Sequence, residues 1–225
     1  MRNWRNSGLP RKKEITKKFK LPSEVAVFPL PHVVLFPQVE LPLFIFEPRY
    51  RQMLTDTLAG SKLIAISLFR RGWEKKKEPF ASYETASVGY VKAVIENEDG
   101  TSHILLRGIE RVRITRYVQM EPYRIARIRP VPDVLKDPKE LKDLAQTLRS
   151  LFLQRLQLSS EAPNEKMTLP KELNDPVTLS HYTSFMAQVS PYLKQDILET
   201  TNVNCRLKHL ITLLQEEIFP SGTQN

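Results

Sequence analysis

Residues 28–54 read FPLPHVVLFPQVELPLFIFEPRYRQML, a density of Phe, Leu and Val that would suit a membrane span were it not broken by Pro29, Pro31, Pro37 and Pro42. Proline has no amide hydrogen to give to a sheet ladder, so these positions confine strands to short pieces on edges or at bends, as in a small, strongly curved barrel. Strands are expected at 25–28 and 41–46. Pro48 then suits the first turn of a helix, where its missing N–H is not needed, and Tyr50, Met53, Leu54, Thr57 and Leu58 recur at helical spacing. That predicts a short amphipathic helix ending near Gly60.

From 63 to 131 the period becomes extended. LIAISLF (63–69) reads as a buried strand, and residues 87–108 as two strands around a turn at Asp99-Gly100, a dipeptide that tolerates the positive φ of tight hairpins. Further on, Ile109, Val112 and Ile114 alternate with Arg111, Arg113 and Arg116, while Tyr123, Ile125 and Ile128 stand among more arginines. This pattern predicts antiparallel strands wet on one side, with the arginines as the wet face.

Past Pro130 and Pro132 the chain carries four helix starts. Asp137-Pro138-Lys139-Glu140 joins an acidic N-cap to Pro at the first helical position and launches Leu141, Leu144, Leu148, Leu151 and Phe152. Asp175-Pro176 and Ser190-Pro191 repeat the device. The last start, Asn202, precedes Val203, Leu207, Leu210, Ile211, Leu214 and Ile218 on one face. Residues 159–176, polar and proline-bearing, read as a flexible loop. The fold class is therefore α+β: a basic arm (1–20), a β unit (21–132), a helical bundle (133–220) and a short tail (221–225).

Composition changes this picture in two places. With 41% apolar residues in 225 the chain has ample core material, and it has neither an uninterrupted span-length apolar stretch nor an apolar leader, so a cytoplasmic protein with no membrane partner is expected. The net charge of +9 is concentrated: residues 1–20 hold eight basic side chains against Glu14, leaving +2 for the rest. A disordered arm accounts for the segment, which has little apolar content to anchor it.

Four segments together resemble a known family, the N-terminal domain of the Lon proteases, and in particular the short stand-alone bacterial proteins made of that domain. They are residues 28–54, VGYVKAVIENEDGTSHILLRGIERVRI (88–114), YRIARI (123–128) and the helical tail from Ser190 to Glu217. RGWEKKKEP (71–79) resembles the equivalent stretch of the stand-alone branch. The resemblance covers roughly residues 21–219 and implies a PUA-like β pseudobarrel followed by a C-terminal α-helical bundle. It makes Phe46, Glu47, Pro48, Arg49 and Tyr50 a structural motif, and it implies recognition of exposed or unfolded polypeptide. One departure stands out: Gln38 occupies a position where the family usually has glycine.

Chemistry is sparse by comparison. A working Lon protease needs an ATPase and a Ser-Lys peptidase module, yet the sequence has no G-x-x-x-x-G-K-[ST] loop, and its helical tail ends near Phe219. No catalytic residue, metal or cofactor is expected. His32, His103, His181 and His209 are too scattered for a metal site and read as surface or hydrogen-bonded residues. Cys205, beside the apolar face of the last helix, reads as a buried inert thiol, and Asp196 and Glu199 as a solvated helix face.

Binding remains. Phe69, Arg70, Arg71 and Trp73 place aromatics among cations just after a strand, followed by Lys75, Lys76 and Lys77. As a site for polypeptide they would supply favoured interface anchors; in the alternative reading Trp73 folds back as a lid on the barrel. Three functions compete: a non-enzymatic module that binds unfolded polypeptide, an RNA-binding module using the arm and the strand arginines, and an adaptor for a separate protease or chaperone.

Overall fold

The computed structural model describes residues 21–75, 81–159 and 168–219. The arm, the tail, Lys76 and Lys77, and the centre of the expected 159–176 loop lie outside them. The elements in order are β1 (Glu24–Leu30), β2 (Glu40–Ile45), α1 (Pro48–Ala59), β3 (Leu63–Leu68), β4 (Thr85–Glu96), β5 (Ser102–Gln119), β6 (Arg124–Pro130), α2 (Pro138–Leu158), α3 (Pro176–Met186), α4 (Pro191–Glu199) and α5 (Val203–Ile218).

The strands form one sheet in the order β2-β5-β4-β3-β1-β6, with β6 also paired to the far half of β5. This is the pseudobarrel. All pairings are antiparallel except β1 with β3. The prolines sit where a ladder can spare a donor. Pro29 follows Val27, where the pairing of β1 to β6 ends, and Pro42 lies on β2, whose strand neighbour is β5 alone.

The long β5 serves two partners: its first half pairs with β2 and β4, and residues 112–119 pair with β6. β3 is buried on both faces. Ile64 and Ile66 pack with α1 residues Tyr50, Met53 and Leu54, whereas Leu63 and Ala65 pack with Val25, Val27, Val88 and Val112. Asp99-Gly100 turns the β4–β5 hairpin, with Gly100 at φ 77°.

The four helix starts hold. Side chains of Asp137, Asp175, Ser190 and Asn202 each accept a backbone N–H of the following turn. The expected loop before α3 is instead partly ordered: residues 171–174 make a 3-10 turn that buries Leu173 between helices. The helices also share their core with the β unit, since Val34, Phe36 and Val39 of the β1–β2 connection and Leu68 of β3 pack among Leu148, Phe152, Leu207 and Leu210.

Four side chains depart from expectation. Arg111 is buried, at 2% exposure, because helices cover the outer face of β5 there; Arg124, also buried, lies over the Phe69 and Tyr117 rings at 5.6 and 5.8 Å. Arg113 and Arg116 are on the wet face as read. Cys205 is exposed rather than buried, because α5 turns Val203, Asn204, Arg206 and Leu207 inward and leaves position 205 outside that stripe. His181 is buried among α3, Asp133 and Phe36, and neither ring nitrogen has a hydrogen-bond partner, so it is neither a surface nor a hydrogen-bonded histidine.

Candidate functional site

Strand alternation decides which apolar side chains of the proline-rich segment reach solvent. On β2, Leu41 and Ile45 point into the core, and the alternate positions Pro42 and Phe44, then Phe46 just past the strand, point outward. Cross-strand register extends the pattern. Pro42 stands opposite Leu105, which stands opposite Ala93; Phe44 stands opposite His103, which stands opposite Ile95. The outer face of β2-β5-β4 is thus two largely apolar rows, with the exposed His103 in the middle of one.

Phe44, Phe46 and Ile95 are 46%, 59% and 47% exposed, which for side chains of this size marks a contact surface rather than a core. The Phe44 ring lies 5.9 Å from that of Phe46 and 4.7 Å from that of His103. Beside them a depression of about 430 Å³ is lined by Leu43, Ala93, Ile104 and Leu105. A polar rim closes one end, where Glu40 accepts from Lys92 at 2.6 Å and from Arg107 at 3.3 Å. On its other side β2 has no strand partner among the described residues, so its backbone edge is unpaired.

The loop after β3 is arranged differently. Trp73, half-buried, stacks on the buried Phe69 ring at 4.3 Å with the planes 13° apart. Arg70 lies over Tyr83 at 4.7 Å and donates to the Ser82 carbonyl; Arg71 lies over Tyr192 of α4 at 4.6 Å. The structure brings these four together, with their rings and guanidinium groups largely engaged by the protein itself. In the other motif, Pro48 opens α1 and Tyr50 is buried against Phe28 at 4.3 Å, whereas Glu47 and Arg49 pair on the surface at 2.9 Å and Phe46 joins the apolar face.

A second polar cluster joins sheet to helices. Asp133 accepts from Arg111 of β5 and from Arg206 of α5, each at 2.8 Å, and lies 3.8 Å from the His181 ring. Burial acts to raise the Asp133 carboxyl pKa, but the two guanidinium groups outweigh it and hold it below the ordinary value. Burial also pushes His181 down, and Arg206 adds to the effect, to about 3. This cluster is a lock between layers. Asp133 binds both arginines, while the His181 ring and one Arg206 nitrogen stay buried without a hydrogen-bond partner, and no group of three or more His, Cys, Asp or Glu among the described residues is placed to hold a metal.

The family model for the ATP-dependent protease La (LON) substrate-binding domain matches residues 24–216. The chain belongs to that family. Relatives include the Lon protease of Desulfosudis oleivorans, 25% identical over 202 residues that cover 88% of this chain and 24% of the relative. The Lon protease of Dictyoglomus thermophilum is 24% identical over 206 residues, covering 92% and 26%. This Lon-family chain therefore spans about a quarter of the length of those relatives.

Solved structures agree on the fold. The N-terminal domain of the Mycobacterium avium complex Lon protease superposes with a TM-score of 0.66 at 19% identity, covering 86% of this chain and 98% of that one. A Lon N-terminal domain protein from Xanthomonas campestris gives 0.61 at 19% identity, covering 85% and 98%. The Gln38 departure leaves the turn intact: Gln38 takes the left-handed φ of 67° that glycine favours, and its N–H donates to the Gly108 carbonyl at 2.8 Å. Among the described residues no helix is long and apolar enough to cross a membrane.

Proposed function

We propose that this chain is a non-enzymatic module that captures exposed or unfolded polypeptide on the outer face of β2-β5-β4, for recognition or for delivery to a protease or chaperone. The observation that carries the reading is the pairing of exposed Phe44, Phe46 and Ile95 with the unpaired edge of β2. An extended segment adding to β2 gains main-chain hydrogen bonds that do not depend on its sequence, while its apolar side chains cover the two aromatic rings. Completing the burial of three half-exposed side chains supplies a few kcal/mol, roughly 2–4, which suits transient capture of many partners. The family's description as a substrate-binding domain supports the same role.

The test uses the whole chain and a permanently unfolded, fluorescently labelled model protein. Phe44→Ser with Phe46→Ser is expected to weaken binding at least about tenfold, since burying each ring is worth over 1 kcal/mol, without moving the thermal midpoint. Trp73→Ala is expected to leave affinity within about twofold. Undiminished binding by the double variant would remove the reading, and a loss confined to Trp73→Ala would move the site to Phe69, Arg70, Arg71 and Trp73. Hydrolysis of ATP or casein by the purified chain would refute the non-enzymatic part.

A further inference from the structure

The outer face of β2-β5-β4 holds one side chain that can change its character. In the row made by Phe44, His103 and Ile95 the two flanks are hydrocarbon and the middle is an exposed imidazole, its ring 4.7 Å from that of Phe44. Histidine is the side chain that gains a charge between neutral and mildly acidic pH. A segment laid over this row takes water away from whatever stands at its centre. That costs little for a neutral imidazole and much for a cation with no counter-ion.

Across the sheet His103 meets Phe44 of β2 and Ile95 of β4, and the neighbouring outward positions are Pro42, Phe46, Ala93 and Leu105, so nothing that ionises faces it from either strand. Carboxylates further off are engaged or turned away. Glu40, beyond Pro42, holds Lys92 and Arg107; Glu47, beyond Phe46, pairs with Arg49. In the hairpin turn Asp99 accepts from the Thr101 N–H and hydroxyl, and Glu98 is exposed to solvent. Glu96 lines a cleft on the α1 side of the sheet together with Arg51. The Phe44 ring offers a cation its π face but no charge.

We infer, resting on the polypeptide-capture reading, that capture on this face is gated by protons: with His103 neutral the two rows accept an apolar segment, and with His103 charged they shed it. The covered face takes up a proton less readily than the open one, so affinity is full at neutral pH and falls as pH drops. Burial of one imidazole is expected to make capture roughly fivefold or more weaker at about pH 5.5 than at about pH 7.5. His181 and His209 are on α3 and α5 and His32 follows β1, so none of them stands in the two rows.

The experiment measures fluorescence anisotropy of a capped, rhodamine-labelled peptide of alternating apolar and serine residues, with no ionisable side chain, against the whole chain at about pH 7.5, 6.5 and 5.5, with circular dichroism confirming that the chain stays folded. The parent is expected to lose at least about fivefold in affinity across the range, and His103→Gln, which cannot take a proton, to vary by less than about twofold. His103→Lys carries its charge throughout and is expected to bind weakly at all three values. His181→Gln is expected to keep the pH dependence of capture, which separates it from acid loosening of the fold. A parent affinity that does not change with pH, or an equal fall in His103→Gln, would overturn the gating while leaving capture standing. Absence of binding at about pH 7.5 would remove the capture reading and the gating with it.

Discussion

A β-carbon on Gly108 would overlap the Phe36 carbonyl oxygen, and backbone rather than a movable side chain is what it meets. The reason is local: the Gly108 N–H donates to Val39 and its carbonyl accepts from Gln38, both at 2.8 Å, so β5 is clasped to the turn that leads into β2. Gly108→Ala is expected to cost about 2–3 kcal/mol as the turn is forced away, read as a lower urea midpoint at unchanged slope. The same clasp explains how Gln38 can occupy a left-handed position. Two backbone bonds and a contact from Arg107 to its side-chain oxygen at 3.3 Å hold it there.

Between elements, the principal polar tie is Asp133. It is the shared counter-ion of two arginines that are nearly inaccessible, Arg111 from the sheet and Arg206 from α5. Asp133→Ala leaves both cations buried without their shared carboxylate and is expected to cost about 3–5 kcal/mol in a denaturant titration. Neither arginine was legible as buried from the sequence, because alternation and helical spacing report where a side chain points, not what lies across from it. The helix caps were legible, since Asp137, Asp175, Ser190 and Asn202 act on the next turn and need no distant partner. Phe44 and Phe46 fall between these cases. Both faces of β2 are apolar, so only the register of β5, some sixty residues later, and the absence of a layer over the outer face among the described residues separate core from surface.

The molecule as a whole should be sensitive to mild acid through His181. Its folded pKa is held at about 3 by burial and by Arg206, against an ordinary value of 6.5, so between these values the unfolded chain takes up a proton that the folded chain refuses. Stability is then full above pH 6.5 and falls as pH drops, by about 2 kcal/mol at pH 5. Asp133, also held below its ordinary value, adds a further loss at lower pH as its carboxylate is protonated. His181→Gln is expected to flatten the melting temperature between pH 7 and 5 without altering the later acid transition. Pro42 bears on how the protein behaves in a crowd. A sheet edge flanked by bare phenylalanines invites stacking of identical copies, yet a ring nitrogen midway along that edge withholds a donor, so a growing fibril would meet a missing rung in every chain. Adhesiveness toward strangers is thereby compatible with staying dispersed from its own kind.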